Sequence, residues 1–419
     1  MGSAVGLRAC LWLLASTGAF GLPSQDECGG VDPREWTSPA HKSAGYHVLC
    51  ISNPAARCQK SGDADGQCKA DEPPTATVCW SGFQEACEEM SITEALSTPE
   101  HGKRSLVGLQ ELLVVNLAYK KRFQALQEKR EKQKKISLGF AFFSVKNDGL
   151  TPSPLTSIKD ASGMVLAFEG GSFLWPGIEV GFNRTVTLPL QPEAIRLTIT
   201  TRSLLPLVVE ISSFIEPSEC EHIIQKALPH VQRSSVKHMD HDVGKPDANW
   251  RTSSTYFMAS DDDILRRLDT RVSALTLIKK SHQEHAQILR YEKGEQYVAH
   301  HDYFDVSAYA NNRDIQRMTN KGLFNRLATV FFYLSDVEAG GQTNFPRAGG
   351  LPQPRNFGDC SEGVSIMPRQ GRIMIFYSQF PSGKMDPDSL HGGCAVEKGT
   401  KWSANKWIWN KPMGYTRDD

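Results

Sequence analysis

The spacing of apolar residues changes along the chain, and each change marks a different kind of element. Residues 22–100 show no sustained period and little core material. From Leu106 the segment "LVGLQELLVVNLAYKKRFQALQEKREKQKK" puts Leu109, Leu112, Leu113, Leu117 and Leu126 at helical spacing, then turns strongly basic. This predicts a helix within 101–136 whose basic end is solvated, with a binding surface as the competing reading. From 137 the runs shorten. "SLGFAFFSV", "MVLAF" and "IEVGF" read as strands, and "GGSFLWPG" as the turns between them, giving a β-rich extension over 137–195.

Residues 196–413 carry the densest pattern. "LPLVVEISSFI" reads as a strand, and "EPSECEHIIQKALPHV" as a helix with Glu216 or Ser218 near its start. "RTSSTYFM", "AQILRY", "QYVAHHDYF", "RLATVFFYLS", "RIMIFYSQF" and "KWSANKWIW" follow as strands. Strands outnumber helices, so the predicted class is mainly β with flanking helices, a barrel or double-sheet jelly roll. No internal repeat is visible.

Composition adds the compartment. The first 21 residues, "MGSAVGLRACLWLLASTGAFG", have one Arg, an apolar run and small residues at a cleavage-like position. They read as a signal peptide, with an uncleaved anchor as the alternative. No later stretch is apolar and long enough to span a bilayer. Of ten cysteines, six lie between Cys28 and Cys87, without a C-x-x-C pair, so 22–100 reads as a disulfide-held module of the secretory pathway. Six cysteines allow fifteen pairings, and the sequence does not choose among them. Asn183-Arg184-Thr185 is a glycosylation sequon. A formal net charge of zero argues against nucleic acid as the main partner.

Candidate chemistry centres on "YVAHHDYFD", residues 297–305. Residues i and i+2 of a strand share a face, so His300 and Asp302 would point into one pocket and His301 away from it. A facial iron site needs two histidines and a carboxylate. "DSLHGGC" offers His391, with glycines that let backbones approach closely. Lys401 opens "KWSANKW"; a buried lysine facing the pocket would suit the far carboxylate of a chelating dicarboxylic acid. His238 and Asp240 in "HMDHD" have the same spacing but sit in a polar stretch read as loop. The surrounding 234–250, with its glycine and proline, is a candidate lid.

The flanks of these residues carry a resemblance. "RYEKGEQYVAHHDYF", "NRLATVFFYLSDVEAGGQTNFP", "GRIMIFY" and "SLHGGCAVEKGTKWSANKWIW" resemble the catalytic domain of prolyl 4-hydroxylases over roughly 205–411. "DPDSLHGGC" and "CSEGVSIMPRQGR" are closer to plant and algal members. The resemblance implies a double-stranded β-helix and hydroxylation of peptidyl proline at the 4-position, with 2-oxoglutarate and O2 converted to succinate and CO2. It implies His300, Asp302 and His391 as Fe(II) ligands, with Lys401, Tyr291 and Thr343 around 2-oxoglutarate. Arg326 and Trp407 match positions of the peptide groove, and ascorbate is the implied reductant. Lysyl hydroxylases usually have arginine where this chain has Lys401. Cys360 and Cys394 match a cysteine pair of plant-like members, which leaves Cys220 free. Where many members have histidine two residues after the tryptophan, this chain has Trp409, which puts the groove's shape in question.

The expected partner is a proline-rich peptide or protein, with room for a partner subunit. The expected location is the endoplasmic reticulum lumen, with secretion as the alternative. Competing functions are hydroxylation of lysine or of a non-peptide substrate, and a non-catalytic secreted binding protein on the same fold.

Overall fold

The computed structural model describes residues 46–52, 74–80, 87–93, 105–128, 140–145, 152–157, 161, 163–190, 192–247, 250–381 and 383–415. The segment read as a signal peptide, four of the cysteines and the basic stretch after Glu128 lie outside them.

The catalytic-type unit is built from two facing sheets. The larger has nine strands in the order Gln232–Arg233, Ser254–Met258, Ala286–Tyr291, Lys401–Trp409, Arg326–Tyr333, Ile373–Tyr377, Leu207–Ser212, Ile195–Leu204, Asn183–Leu188. The smaller has four: Tyr297–His300, His391–Gly393, Thr343–Phe345, Val364–Ile366. Leu289, Phe331, Met374 and Phe376 of the large sheet meet Phe345 and Ile366 of the small one in a shared apolar cluster. This is the jelly-roll arrangement, mainly β with helices outside. The central strands read as unbroken apolar runs because both faces are covered. While Leu289 and Phe331 face the small sheet, Ile288, Val330 and Phe332 pack outward against Ile223, Leu265, Leu268 and Val272 of two helices.

Those helices start where the sequence permits. Glu216 caps Pro217–Ala227 in a capping box with Glu219, and Pro217 sits in the first turn, where no N–H partner is needed. Asp262 caps Asp263–Thr276 by accepting from the Leu265 N–H, a cap contributing about 1 kcal/mol. Arg271 donates both Nη atoms to Glu219 and joins the two helices.

The divisions drawn at residues 100 and 137 do not separate sheets. The cysteine-rich strands Tyr46–Ser52, Thr75–Cys79 and Glu88–Ser91 join Gly163–Glu169, Phe140–Val145 and Pro152–Pro154 in a single six-stranded sheet. On one face Leu49, Ile51, Val165 and Ala167 pack against Leu109, Leu113 and Leu117 of the helix Ser105–Glu128. On the other, Tyr46, Val48, Leu166 and Phe168 join the core of the nine-stranded sheet. A period-2 pattern says which face a residue takes but not which strand lies beside it, so sheet partners were not readable. The boundary at 195 is displaced as well, because Asn183–Leu188 already pairs with Ile195–Leu204.

Two local expectations are corrected. "IEVGF" is a turn, with Gly181 at φ +90°, and the strand begins after it. "GGSFLWPG" turns only at Gly170–Gly171, and its Phe173 and Trp175 are core residues. The Trp175 indole donates to the Leu275 carbonyl. Among the described residues no helix is long and apolar enough to cross a membrane.

Candidate active site

His300 and His391 are direct cross-strand partners on adjacent strands of the small sheet. Gly392 permits that approach, since a Cβ there would lie 3.0 Å from both Ala299 N and Tyr297 O. His300 ends its strand, and Asp302 follows in a bend. The structure brings His300 and Asp302 together, although the chain leaves strand geometry before Asp302. His300 Nε2 lies 3.5 Å from Asp302 Oδ1, and His391 Nε2 lies 3.6 Å from Asp302 Oδ2.

The hydrogen bonds behind the imidazoles determine their tautomers. His300 Nδ1 is 2.9 Å from the Val298 carbonyl, and His391 Nδ1 is 2.9 Å from the Ser389 carbonyl. A carbonyl only accepts, so each Nδ1 carries the proton and each Nε2 presents a lone pair inward. Thr329 Oγ1 donates to Asp302 Oδ2 at 2.6 Å. Tyr297 stacks on His300 at 3.7 Å between centroids, and Phe376 flanks His391 at 4.3 Å. Burial would raise the Asp302 carboxyl, but His391, His300 and Arg326 outweigh it and hold it well below the usual range. Burial pulls His391 down to about 4, keeping its imidazole neutral. Two imidazole nitrogens and an ionised carboxylate, all within 4.8 Å of one another, fit a divalent transition metal.

His301 is not part of the set. Its Nε2 is 3.0 Å from the Pro387 carbonyl and its ring lies against Tyr303. Nor do His238 and Asp240 pair with each other. His238 meets Asp247 at 2.7 Å, and Asp240 accepts the Asn311 N–H. Through Asp240 and Lys237 the 234–250 segment is tied to residues 308–311, downstream of Asp302.

Behind the metal set, Lys401 is buried on the inner face of the large sheet, opposite Tyr291. Its Nζ donates to the Gly341 carbonyl at 2.7 Å and faces the rings of Tyr291, Phe331 and Tyr333. It has no carboxylate partner among the described residues, and burial alone pulls its ammonium down to about 7. A buried, uncompensated cation is costly unless an anion joins it, so this pocket suits a carboxylate ligand. Thr343 lies at the same place, accepting from the Tyr333 hydroxyl at 3.0 Å.

Arg326 and Trp407 are also brought together. Arg326 donates Nε and Nη2 to Glu284, and Nη1 to the Asp302 carbonyl. Trp409 is fully buried and donates its indole N–H to the same Glu284. Trp407 is 5% exposed and its N–H has no acceptor among the described residues. Sequence reasoning missed Thr329, Tyr333, Glu284 and Tyr297. Tyr297 stood in the motif itself, three residues before His300, whereas nothing in the spacing marked the others. Cys360 and Cys394 are bridged, and Cys220 is a buried thiol.

Two histidines on the small sheet and an aspartate in the bend just after it, with a lysine lacking a carboxylate partner behind them, define a jelly-roll non-haem iron site that takes a carboxylate cosubstrate. Residues 286–409 match the model of the 2OG-Fe(II) oxygenase superfamily. Probable prolyl 4-hydroxylase 10 of Arabidopsis thaliana is 41% identical over 203 residues, covering 47% of this chain and 66% of that protein. Probable prolyl 4-hydroxylase 3 of the same plant is 38% identical, covering 47% and 67%. A solved viral collagen prolyl hydroxylase from Paramecium bursaria Chlorella virus-1 is 24% identical, covering 48% of this chain and 95% of its own, with a TM-score of 0.34. The chain belongs to the prolyl 4-hydroxylase family of 2-oxoglutarate–Fe(II) oxygenases, and spans about two thirds of the length of these curated relatives.

Proposed function

We propose that this protein hydroxylates peptidyl proline at the 4-position in proline-rich substrates of the secretory pathway. The observation that carries the reading is the juxtaposition of His300, Asp302 and His391 with the unpaired buried Lys401. Fe(II) with 2-oxoglutarate and O2 supplies the oxidation, yielding hydroxylated product, succinate and CO2. The chain's own residues do the rest. His300 Nε2, His391 Nε2 and an Asp302 oxygen would hold the metal, and Thr329 fixes the carboxylate. Lys401 and Tyr291 receive the distal carboxylate of the cosubstrate, with Thr343 lining its pocket. Arg326 and Trp407 border the space where the peptide lies, and the 234–250 segment closes over it. Ascorbate would be the reductant that keeps the metal ferrous.

A proline-rich peptide suits such a groove because its polyproline II form loses little ordering entropy on binding. The bridges Cys79–Cys87 and Cys360–Cys394 favour an oxidising compartment, the endoplasmic reticulum lumen in this reading. The test is a panel of proline- and lysine-containing peptides analysed by mass spectrometry. 4-Hydroxyproline is the expected product, and hydroxylysine alone would overturn the substrate assignment.

A further inference from the structure

On the inner face of the large sheet, beyond Lys401 and Ser403, Asn405 and Trp407 follow at two-residue steps. Asn405 is the register partner of Gln287, and Gln287 of Phe257 on the next strand. Phe257 is 52% exposed and its ring lies 6.4 Å from that of Trp407, so this patch reaches solvent. Trp407 is in turn opposite Thr329, which donates to Asp302. The patch therefore runs from the metal ligands to the protein surface.

Its polar groups are incompletely matched. Asn405 Nδ2 donates to Gln287 Oε1 at 3.1 Å, and among the described residues neither side-chain amide makes another hydrogen bond. Two amides joined by one hydrogen bond always keep one carbonyl oxygen free. Exchanging the oxygen and nitrogen assignments only moves that oxygen from Asn405 to Gln287. Two residues along the same strand, the Trp407 N–H is a buried donor without an acceptor among the described residues. The patch thus needs one acceptor and one donor from whatever fills it.

We propose that Gln287 and Asn405 form a subsite that accepts a backbone N–H of the peptide residue next to the target proline. This rests on the peptidyl-proline reading and sharpens its substrate class. A peptide carbonyl for Trp407 is available in any sequence. The N–H is not, because proline nitrogen carries no hydrogen. Peptides in which proline alternates with other residues satisfy the subsite, and uninterrupted polyproline leaves its oxygen unmet.

The test uses the full chain with Fe(II), 2-oxoglutarate and two peptides, alternating alanine–proline and the same sequence with N-methylalanine. Hydroxyproline formation is followed by mass spectrometry. Wild type should lose about tenfold in kcat/KM on N-methylation, the scale of one unmet, partly desolvated acceptor. Asn405→Leu and Gln287→Met should lower kcat/KM for the parent peptide and bring the ratio between the two peptides close to one. Equal turnover of both peptides by wild type would mean that water meets the oxygen, overturning the subsite while leaving prolyl hydroxylation intact. Undiminished discrimination in folded variants would assign the reading to other residues and overturn it too. Loss of hydroxyproline from every peptide, with metal and 2-oxoglutarate bound, would overturn the peptidyl-proline reading and the subsite together. The wild-type comparison stands even if a variant fails to fold.

Discussion

The guanidinium carbon of Arg326 lies 3.4 Å from the ring centroid of Trp407, and Glu284 holds the same group from its edge. Because Glu284 also accepts from Trp409, that tryptophan serves here as a buried brace. Lysine retains the charge of Arg326 but loses the paired hydrogen bonds and the flat stacking surface. Arg326→Lys should therefore raise KM for peptide about tenfold or more, while 2-oxoglutarate affinity stays within twofold. Steady-state kinetics varying each substrate in turn checks this. Equal weakening of both would mean that Arg326 supports the whole pocket rather than the groove.

Lys401 predicts a pH dependence for the cosubstrate. Its ammonium is pulled down to about 7 by burial, and only the protonated form attracts a carboxylate. Below pH 7 the lysine is ready to bind; above it, binding must take up a proton. The dissociation constant of 2-oxoglutarate should rise by about tenfold per pH unit above pH 7. Lys401→Arg, charged throughout, should flatten that rise. Calorimetric titrations between pH 6 and 9 would show it, and a flat wild-type profile would contradict it.

Asp386 predicts a pH dependence for stability. It is 3% exposed, and burial pushes its carboxyl up to about 7. The Asp388 N–H opposes this, the Asp388 charge adds to it, and Arg347 and Lys384 oppose it more weakly. An unfolded aspartate titrates near 3.9. Between the two values the unfolded chain is ionised while the folded one holds a proton, so stability falls as pH rises from about 4 to 7. Asp386→Asn should be more stable than wild type at pH 8 by on the order of 2 kcal/mol, and no more stable at pH 4. Denaturant unfolding at both pH values tests the sign; a difference independent of pH would reject the titration.

The Cys360–Cys394 bridge closes a 34-residue separation and pins a loop whose Phe357 carbonyl accepts the Ala299 N–H beside His300. Cys360→Ser with Cys394→Ser should cost about 4 kcal/mol by the loop-entropy account. It should also speed Fe(II) loss to a chelator, because the anchored strand carries His391. Stopped-flow chelation provides the comparison, with unchanged metal release as the contrary result.

How much of this was legible in the sequence depended on distance along the chain. His300 and Asp302 are two residues apart, so local geometry sufficed to pair them. His391 lies far downstream, and its place opposite His300 depends on strand pairing that no local period encodes. The resemblance supplied that link, together with Lys401, Tyr291 and Thr343. Thr329 and Glu284 carry no spacing signature, since their roles arise from neighbours on other strands. The same limit explains why Tyr46–Ser52 and Gly163–Glu169 read as separate units although they are adjacent strands. Helix ends were legible because a cap is a local arrangement, and Glu216 with Pro217 is an example.

The most direct test is peptide-dependent succinate formation by the full chain with Fe(II), 2-oxoglutarate and an alternating alanine–proline peptide. His300→Ala and His301→Ala are assayed beside wild type, with bound iron measured in each. His300→Ala should lose iron and fall at least a hundredfold in turnover, the scale of removing a group made for the reaction. His301→Ala removes a ring that meets the Pro387 carbonyl and Tyr303, and should keep its iron and most of its rate. Iron bound equally by both variants, or turnover lost with His301 and kept without His300, would contradict the assignment of the metal site.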